Sequence, residues 1–318
     1  MNDTVLWSVD RRGVATVTLN RPEVNNAYND RLLAGLHAAM DALRDEDSLR
    51  MVVIKGNGRH FQAGADLAWI SGVARQGPAE NEAASRLTAE AMRRLDTCPV
   101  PTLALIQGGC FGGGTGLAAS CDVVIASEDA IFSIAETRWG LMAGIILPQL
   151  CQAMGVRQVR RYALTGERFG AHEARRLGLV HEVCPNGRLE EAGNRIVEAV
   201  LMNAPGATSA TKMRTLASAR ALVDDTEMRD LVDEHARTRQ QDEAAEGLAS
   251  FREKRRPRRI FIVMKTFARS CRLGRPARAI PTDAMEGTHM AVAFTINGKA
   301  ESVDVDANTP LLWVVREH

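Results

Sequence analysis

The sequence predicts an α/β protein in which strands and helices alternate first and helices alone follow. Three observations carry this reading. The apolar period switches repeatedly between two and 3.6 over roughly the first 150 residues, glycine-rich turns separate the segments, and after residue 149 mainly helical spacing persists. With 318 residues, 45% hydrophobic and 25% charged, the chain has the make-up of a globular protein and the length for one large core or two smaller ones.

Taken in order, Val14-Ala15-Thr16-Val17-Thr18-Leu19 alternates as a half-buried strand does, and Asn20-Arg21-Pro22 ends it. Residues 30–45 place Leu32, Leu33, Leu36, Ala39, Met40 and Leu43 at helical spacing. Residues 51–54 read as a short buried strand before the turn Gly56-Asn57-Gly58. Helical spacing returns at 66–73 and 82–95, residues 102–106 form a strand, 112–119 start a helix, and 122–126 and 131–134 are strands again. In the later part, Gly178 is placed to end a helix in the left-handed conformation, and residues 190–202, 209–222 and 228–239 are amphipathic. Past residue 255 the character changes. Residues 252–278 hold 11 basic residues and one acid, and 258–289 read as a disordered basic linker. From residue 290 alternation resumes, with Asn297-Gly298 set between Phe294-Thr295-Ile296 and Ser302-Val303-Asp304-Val305 as a hairpin signal.

Composition excludes several classes. No run of 18 apolar residues occurs, and Asp3, Asp10, Arg11 and Arg12 occupy the place of an export signal, so neither a membrane span nor secretion is expected. The six cysteines stand at least 11 positions apart without a C-x-x-C pair, which argues against a disulfide framework or a structural metal and suits a reducing cytoplasm. Residues 1–251 carry 27 Lys and Arg against 32 Asp and Glu, so nucleic acid is not an expected partner of the main body.

Three constellations could carry chemistry. In Phe61-Gln62-Ala63-Gly64-Ala65-Asp66-Leu67 a turn leads into a helix whose first amides are unpaired and able to face an anion, with Asp66 as the N-cap. An ordinary capped turn is the plainer alternative. Gly108-Gly109-Cys110-Phe111-Gly112-Gly113-Gly114-Thr115-Gly116 invites close backbone approach, by a ligand or by a packed helix. It lacks Gly-Lys-Ser/Thr and does not fit G-x-G-x-x-G, so a nucleotide loop is not expected. In Phe132-Ser133-Ile134-Ala135-Glu136, no other acid follows Glu136 before Glu167. A solvated glutamate would be inert, whereas a buried one would have a raised pKa suited to proton transfer.

These three, together with Leu19-Asn20-Arg21-Pro22, Asn26-Ala27, Cys121-Asp122, Leu164-Thr165-Gly166-Glu167, Leu177-Gly178-Leu179-Val180 and Glu253-Lys254-Arg255, resemble in order the crotonase, or enoyl-CoA hydratase/isomerase, superfamily. The resemblance runs from about residue 5 to 257. It implies a crotonase-like spiral of ββα turns over 1–190 and a helical region over 191–257, assembled as a homotrimer or a dimer of trimers. It also implies an acyl-CoA thioester as substrate, with no cofactor besides the coenzyme A that the substrate carries. By motif position the amides of Ala65 and Gly113 would form an oxyanion hole, and Glu136 would be the acid–base group. Ala63, Asp66, Gly112, Gly116 and Trp69 would border the substrate, although Trp69 also suits the core. Arg21, Lys254 and Arg255 would meet the coenzyme A phosphates, although Lys254 and Arg255 equally suit a solvated helix end.

One departure matters. Where two-glutamate hydratases of this family carry their first glutamate, this chain has Gly116, and one carboxylate can either hydrate or isomerise an enoyl thioester. The pieces Phe111-Gly112-Gly113-Gly114-Thr115-Gly116-Leu117, Glu136-Thr137-Arg138-Trp139-Gly140-Leu141 and Ile146-Leu147-Pro148 look most like bacterial hydratases of branched substrates such as 3-methylglutaconyl-CoA and isohexenylglutaconyl-CoA. A hydratase is therefore expected, with a Δ3,Δ2-enoyl-CoA isomerase as the alternative and a non-catalytic binding protein as the third reading. Residues 290–318 resemble the start of the [2Fe–2S] small subunit of molybdenum hydroxylases. With no cysteine after Cys271, no cluster and no redox function are expected there.

Overall fold

The computed structural model describes residues 3–203, 205–218, 225–240 and 242–255, and the strands 289–296 and 299–306. Its contacts divide the chain into units of residues 1–260 and 261–318. The expected linker, 258–289, lies outside the described residues except for His289.

In the first unit, β1 (Val5–Val9) and β2 (Val14–Leu19) precede α1 (Asp30–Arg44), and β3 (Met51–Gly56) precedes α2 (Leu67–Ala74) and α3 (Pro78–Asp96). Then come β4 (Thr102–Ile106), β5 (Gly109–Phe111), α4 (Gly113–Ala119), β6 (Val123–Ser127) and β7 (Ile131–Ser133). Next are α5 (Leu147–Met154), α6 (Val156–Thr165), β8 (Phe169–Gly170), α7 (Ala171–Leu177) and β9 (Glu182–Cys184). Four helices follow: α8 (Leu189–Leu201), α9 (Pro205–Ser218), α10 (Asp225–Arg239) and α11 (Asp242–Arg252).

A large sheet runs β1-β2-β3-β4-β6-β9 and a small one β5-β7-β8. In the large sheet only β1 and β2 pair antiparallel. Each inner strand hands the chain to the small sheet: β4 leads to β5 and β6 to β7. After β3, Gln62 takes the equivalent place through a parallel bridge to Cys110. Large strand, small strand, helix is thus the repeating turn, and the chain winds as a ββα spiral.

Period-2 alternation buries both faces of the large sheet. Val52, Ile54, Ala104 and Ile106 join the main cluster with Leu36 of α1 and Leu95 of α3. Met51, Val53, Leu103 and Leu105 point the other way, against Ala192 and Val197 of α8. Each large aliphatic side chain buried in this way contributes about 1.5–3 kcal/mol.

Polar side chains fix the ends of the elements. Asn29 caps α1 by accepting from the Leu32 amide at 3.0 Å. Asn26, fully buried at φ 57°, donates to the carbonyls of Asn57 and His60 at 2.8 Å each, and its Oδ1 accepts from the Arg21 amide at 2.8 Å. One amide thereby ties the exit of β2 to the loop after β3. Gly178 ends α7 at φ 93°, in the left-handed conformation expected of it. In the second unit, β10 (His289–Ile296) pairs antiparallel with β11 (Lys299–Asp306), and Ile296 lies opposite Lys299.

Candidate active site

The small sheet delivers the site. Gln62 bridges Cys110, and Cys110 pairs with Phe132, so three successive turns of the spiral stand side by side at one register. Neighbouring strands lie about 4.8 Å apart. Three residues beyond Gln62 is Ala65, three beyond Cys110 is Gly113, and four beyond Phe132 is Glu136. All three line one cavity of about 410 Å³.

The amides of Ala65 and Gly113 find no acceptor among the described residues. At Ala65 the cause is the parallel bridge to Tyr28. Tyr28 N donates to the Gly64 carbonyl at 2.9 Å and Asp66 N donates to the Tyr28 carbonyl at 2.8 Å, which leaves the intervening N–H outside the ladder. At Gly113 the cause is its place as the first residue of α4, where no preceding helical carbonyl is available. Gly112 before it has φ 51°, and a Cβ there would lie 2.8 Å from Glu136 Oε1 and 3.8 Å from Gly64 Cα. Glycine is required on both counts, conformation and space.

Glu136 opens a short 3-10 turn ending at Trp139. The residue is half-buried, but its Oε2 is shut off from solvent and has no hydrogen-bond partner. Burial pushes its carboxyl up to about 7, against a smaller opposing pull from its own backbone amide. Tyr28 is buried beside it, and burial first, then the Glu136 charge, hold its phenol above the ordinary value.

Of the residues the sequence nominated, Ala63, Ala65, Asp66, Gly112, Gly113 and Glu136 meet at the cavity. The others do not. Gly116 lies behind the wall, where a Cβ would come within 2.3 Å of Ile146 Cγ2, so its smallness serves helix packing. Trp69 stands edge-on to Tyr28 at 5.9 Å and packs against the core. Arg21 is committed to the protein: its Nη2 lies 3.0 Å from Asp66 Oδ2 and its Nη1 donates to the Ala27 carbonyl at 2.6 Å. Asp66 in turn caps α2, accepting from Ala68 N at 3.0 Å and Trp69 N at 3.4 Å. Arg255 pairs with Glu246 and Glu253, and Lys254 is exposed past the end of α11. Arg21 and Arg255, expected at the coenzyme A phosphates, are thus ion-paired within the protein, and Lys254 lies outside the cavity lining. His60 accepts from Gly109 N at 2.7 Å, a structural bond.

Sequence reasoning missed the far wall. His235 and Arg239, one turn apart on α10, line the cavity and meet Asn81 and Ser85, one turn apart on α3. Arg239 Nη2 donates to the Asn81 carbonyl at 2.5 Å and to Ser85 Oγ, while His235 Nδ1 lies 2.9 Å from the same Oγ. Burial, reinforced by Arg239, drives His235 down to about 3 and leaves it neutral at pH 7. Arg239 falls only to about 10 and keeps its charge. Trp139 and Phe251 of α11 meet edge to face at 4.9 Å and complete the wall.

The arrangement offers one proton-transfer group, two preorganised donors for a developing negative charge, and apolar walls. Among the described residues no group of three His, Cys, Asp or Glu could hold a metal, and no helix is long and apolar enough to cross a membrane.

A family model described as "Enoyl-CoA hydratase/isomerase" matches residues 10–259. The 2,3-dehydroadipyl-CoA hydratase of Escherichia coli strain K12 is 34% identical over 203 residues, covering 63% of this chain and 76% of that one. The mitochondrial Delta(3,5)-Delta(2,4)-dienoyl-CoA isomerase of Dictyostelium discoideum is 30% identical over 258 residues, with coverages of 78% and 88%. The solved structure of an enoyl-CoA hydratase from Shewanella pealeana ATCC 700345 superposes with a TM-score of 0.66 at 32% identity, covering 80% of this chain and 96% of that one.

Proposed function

The chain belongs to the enoyl-CoA hydratase/isomerase family, and on that premise we propose that it adds water across the C2=C3 bond of an acyl-CoA thioester, with Glu136 as its acid–base group. The observation that carries this reading is the meeting, in one cavity, of a buried Glu136 Oε2 that has no partner with two amides that find no acceptor among the described residues.

The thioester oxygen sits between the Ala65 and Gly113 amides. Glu136 takes a proton from water as the hydroxyl oxygen bonds to C3. The electron pair of the double bond moves towards the thioester oxygen, where the two N–H groups stabilise the enolate. Glu136 then returns the proton to C2, so that one water is gained and no charge is left over. Removing an oxyanion donor typically lowers a rate by about 10²–10³, and a positioned acid–base group is worth about 10²–10⁴. A pKa near 7 makes Glu136 competent in both proton steps at neutral pH.

A branched, 3-methylglutaconyl-type acyl group, assembly as a homotrimer or dimer of trimers, and residence in the cytoplasm belong to the same proposal and rest on the sequence resemblance. Coenzyme A enters only as part of the substrate. A second reading, a Δ3,Δ2-enoyl-CoA isomerase, is favoured by one observation. Gly116 leaves no carboxylate in the first glutamate's place, and one glutamate is enough to move a proton between C2 and C4.

Mass spectrometry of products from 2-enoyl-CoA, 3-methylglutaconyl-CoA and 3-enoyl-CoA thioesters separates the two. Gain of one water from a 2-enoyl substrate, lost in Glu136→Gln, is the expected result. Conversion of 3-enoyl to 2-enoyl at unchanged mass, with no hydration, would replace it by the isomerase reading.

A further inference from the structure

Hydration as described makes no use of Arg239. This side chain is only 2% exposed, yet it lines the cavity. Its Nη2 is satisfied by α3, whereas Nε and Nη1 are closed off from solvent with no partner. The cavity supplies it with no counter-charge. Asp66 is held by Arg21, and among the described residues Arg239 makes no ion pair with Glu136. His235, one turn away, is neutral. A buried guanidinium with unused donors and no anion is destabilising, and a bound anion would offset that cost.

Arg239 is held by α3, its Nη2 on the Asn81 carbonyl and Ser85 Oγ, whereas Glu136 stands at the oxyanion turn, where a Cβ on Gly112 would lie 2.8 Å from its Oε1. Both line the one cavity, whose walls also carry apolar residues such as Phe251 and Trp139.

We propose that Arg239 receives a carboxylate at the far end of the acyl chain, so that the substrates are coenzyme A monothioesters of short unsaturated dicarboxylic acids. The inference rests on the hydratase reading, since it takes the thioester to be held at Ala65 and Gly113. His235 and Ser85 are positioning residues that hold the guanidinium from behind.

The test separates binding from turnover. Saturated probes, which have no double bond to hydrate, are titrated calorimetrically into the full chain in matched pairs: succinyl- against butanoyl-CoA, glutaryl- against pentanoyl-CoA, and adipyl- against hexanoyl-CoA. At least one carboxylated probe is expected to bind tenfold or more tightly than its methyl-ended partner. In Arg239→Met that ratio should fall about 10²-fold, and in Arg239→Lys by less, because the charge remains and the fork is lost. The inference is overturned if no pair shows the preference, if the ratio survives in Arg239→Met, or if free coenzyme A loses as much affinity as the carboxylated probe. Should Arg239→Met fail to fold, the wild-type ratio and Arg239→Lys still decide. Hydration of the corresponding 2-enoyl thioesters is read separately. A carboxylate preference without hydration would refute the reaction and support the pocket, and hydration without preference would do the reverse.

Discussion

Replacing Glu136 by glutamine tests the burial of this carboxyl through stability rather than rate. In an unfolded chain a glutamate titrates near 4.3, whereas burial raises Glu136 to about 7 in the folded protein. Between those values the folded state binds more protons than the unfolded one, so stability falls as pH rises, by about 1.4 kcal/mol per unit at most. The penalty is absent below pH 4, grows through the window, and is complete above pH 7 at roughly 4 kcal/mol. Glutamine carries no charge at any pH and escapes it. Its amide leaves a buried polar group without a partner at every pH, an offset that is the same at both ends of the range. The stability of Glu136→Gln relative to wild type should therefore be about 3–4 kcal/mol greater at pH 8 than near pH 4. Urea unfolding at the two pH values measures this, with an unchanged slope confirming that the same surface is exposed. An equal stability difference at both pH values, or one that moves in favour of the wild type as pH rises, would refute the argument. The same variant should lose about 10²–10⁴ in hydration rate.

The remaining predictions concern the residues around it. As the base form of Glu136 starts hydration, kcat/KM should rise with pH to half its plateau at about 7, and a flat profile between pH 5.5 and 8.5 would exclude this group as the base. Gly116→Glu should not supply a second acid–base group, because its Cβ would fall 2.3 Å from Ile146 Cγ2; thermal melting should show a loss of about 1–3 kcal/mol with no gain in rate. Arg21→Met leaves Asp66 without its partner at a site where the two side chains are 14% and 18% exposed. Stability should fall by about 1–3 kcal/mol while the dissociation constant of free coenzyme A, followed by calorimetry, stays unchanged. Gly112→Ala places a methyl 2.8 Å from Glu136 Oε1 at φ 51°, and steady-state assay should show a loss of 10²-fold or so, mainly in kcat.

What could be read from the sequence divides along a physical line. Segments long enough to express a period were legible: residues 30–45 form α1 at Asp30–Arg44, and 102–106 are β4. Strands of two or three residues, β5, β8 and β9, show no period, and their pairing is supplied by distant turns of the spiral. β1 escaped because Leu6 and Trp7, adjacent and both exposed, break its alternation. α11 falls within the helical region expected over 191–257, although no separate amphipathic stretch was assigned to it. In the site, Ala65, Gly113 and Glu136 belong to local strings of residues and could be located from them. Arg239 and His235 could not, because an arginine and a histidine four apart on a polar helix look the same whether they face water or a cavity. The pairing of Arg21 was hidden for the converse reason, because the carboxylate it meets lies 45 residues along the chain.

The alignment of Gln62, Cys110 and Phe132 has a consequence for inheritance. Two of the three groups in the proposed reaction are main-chain N–H groups, which every amino acid except proline provides. Point mutation can remove a reacting side chain only at Glu136, and at the two amides only by introducing proline, whereas insertion or deletion of a single residue in any of three short strands would misalign all of them. Descendants of such a gene are free to change the walls of the cavity, and so the acyl chain accepted, while the count of residues between strand and amide stays fixed. A survey of variants should therefore find intolerance of length change between residues 62 and 65 and between residues 110 and 113, with substitution tolerated there except at Gly64 and Gly112, whose positive φ keeps them glycine.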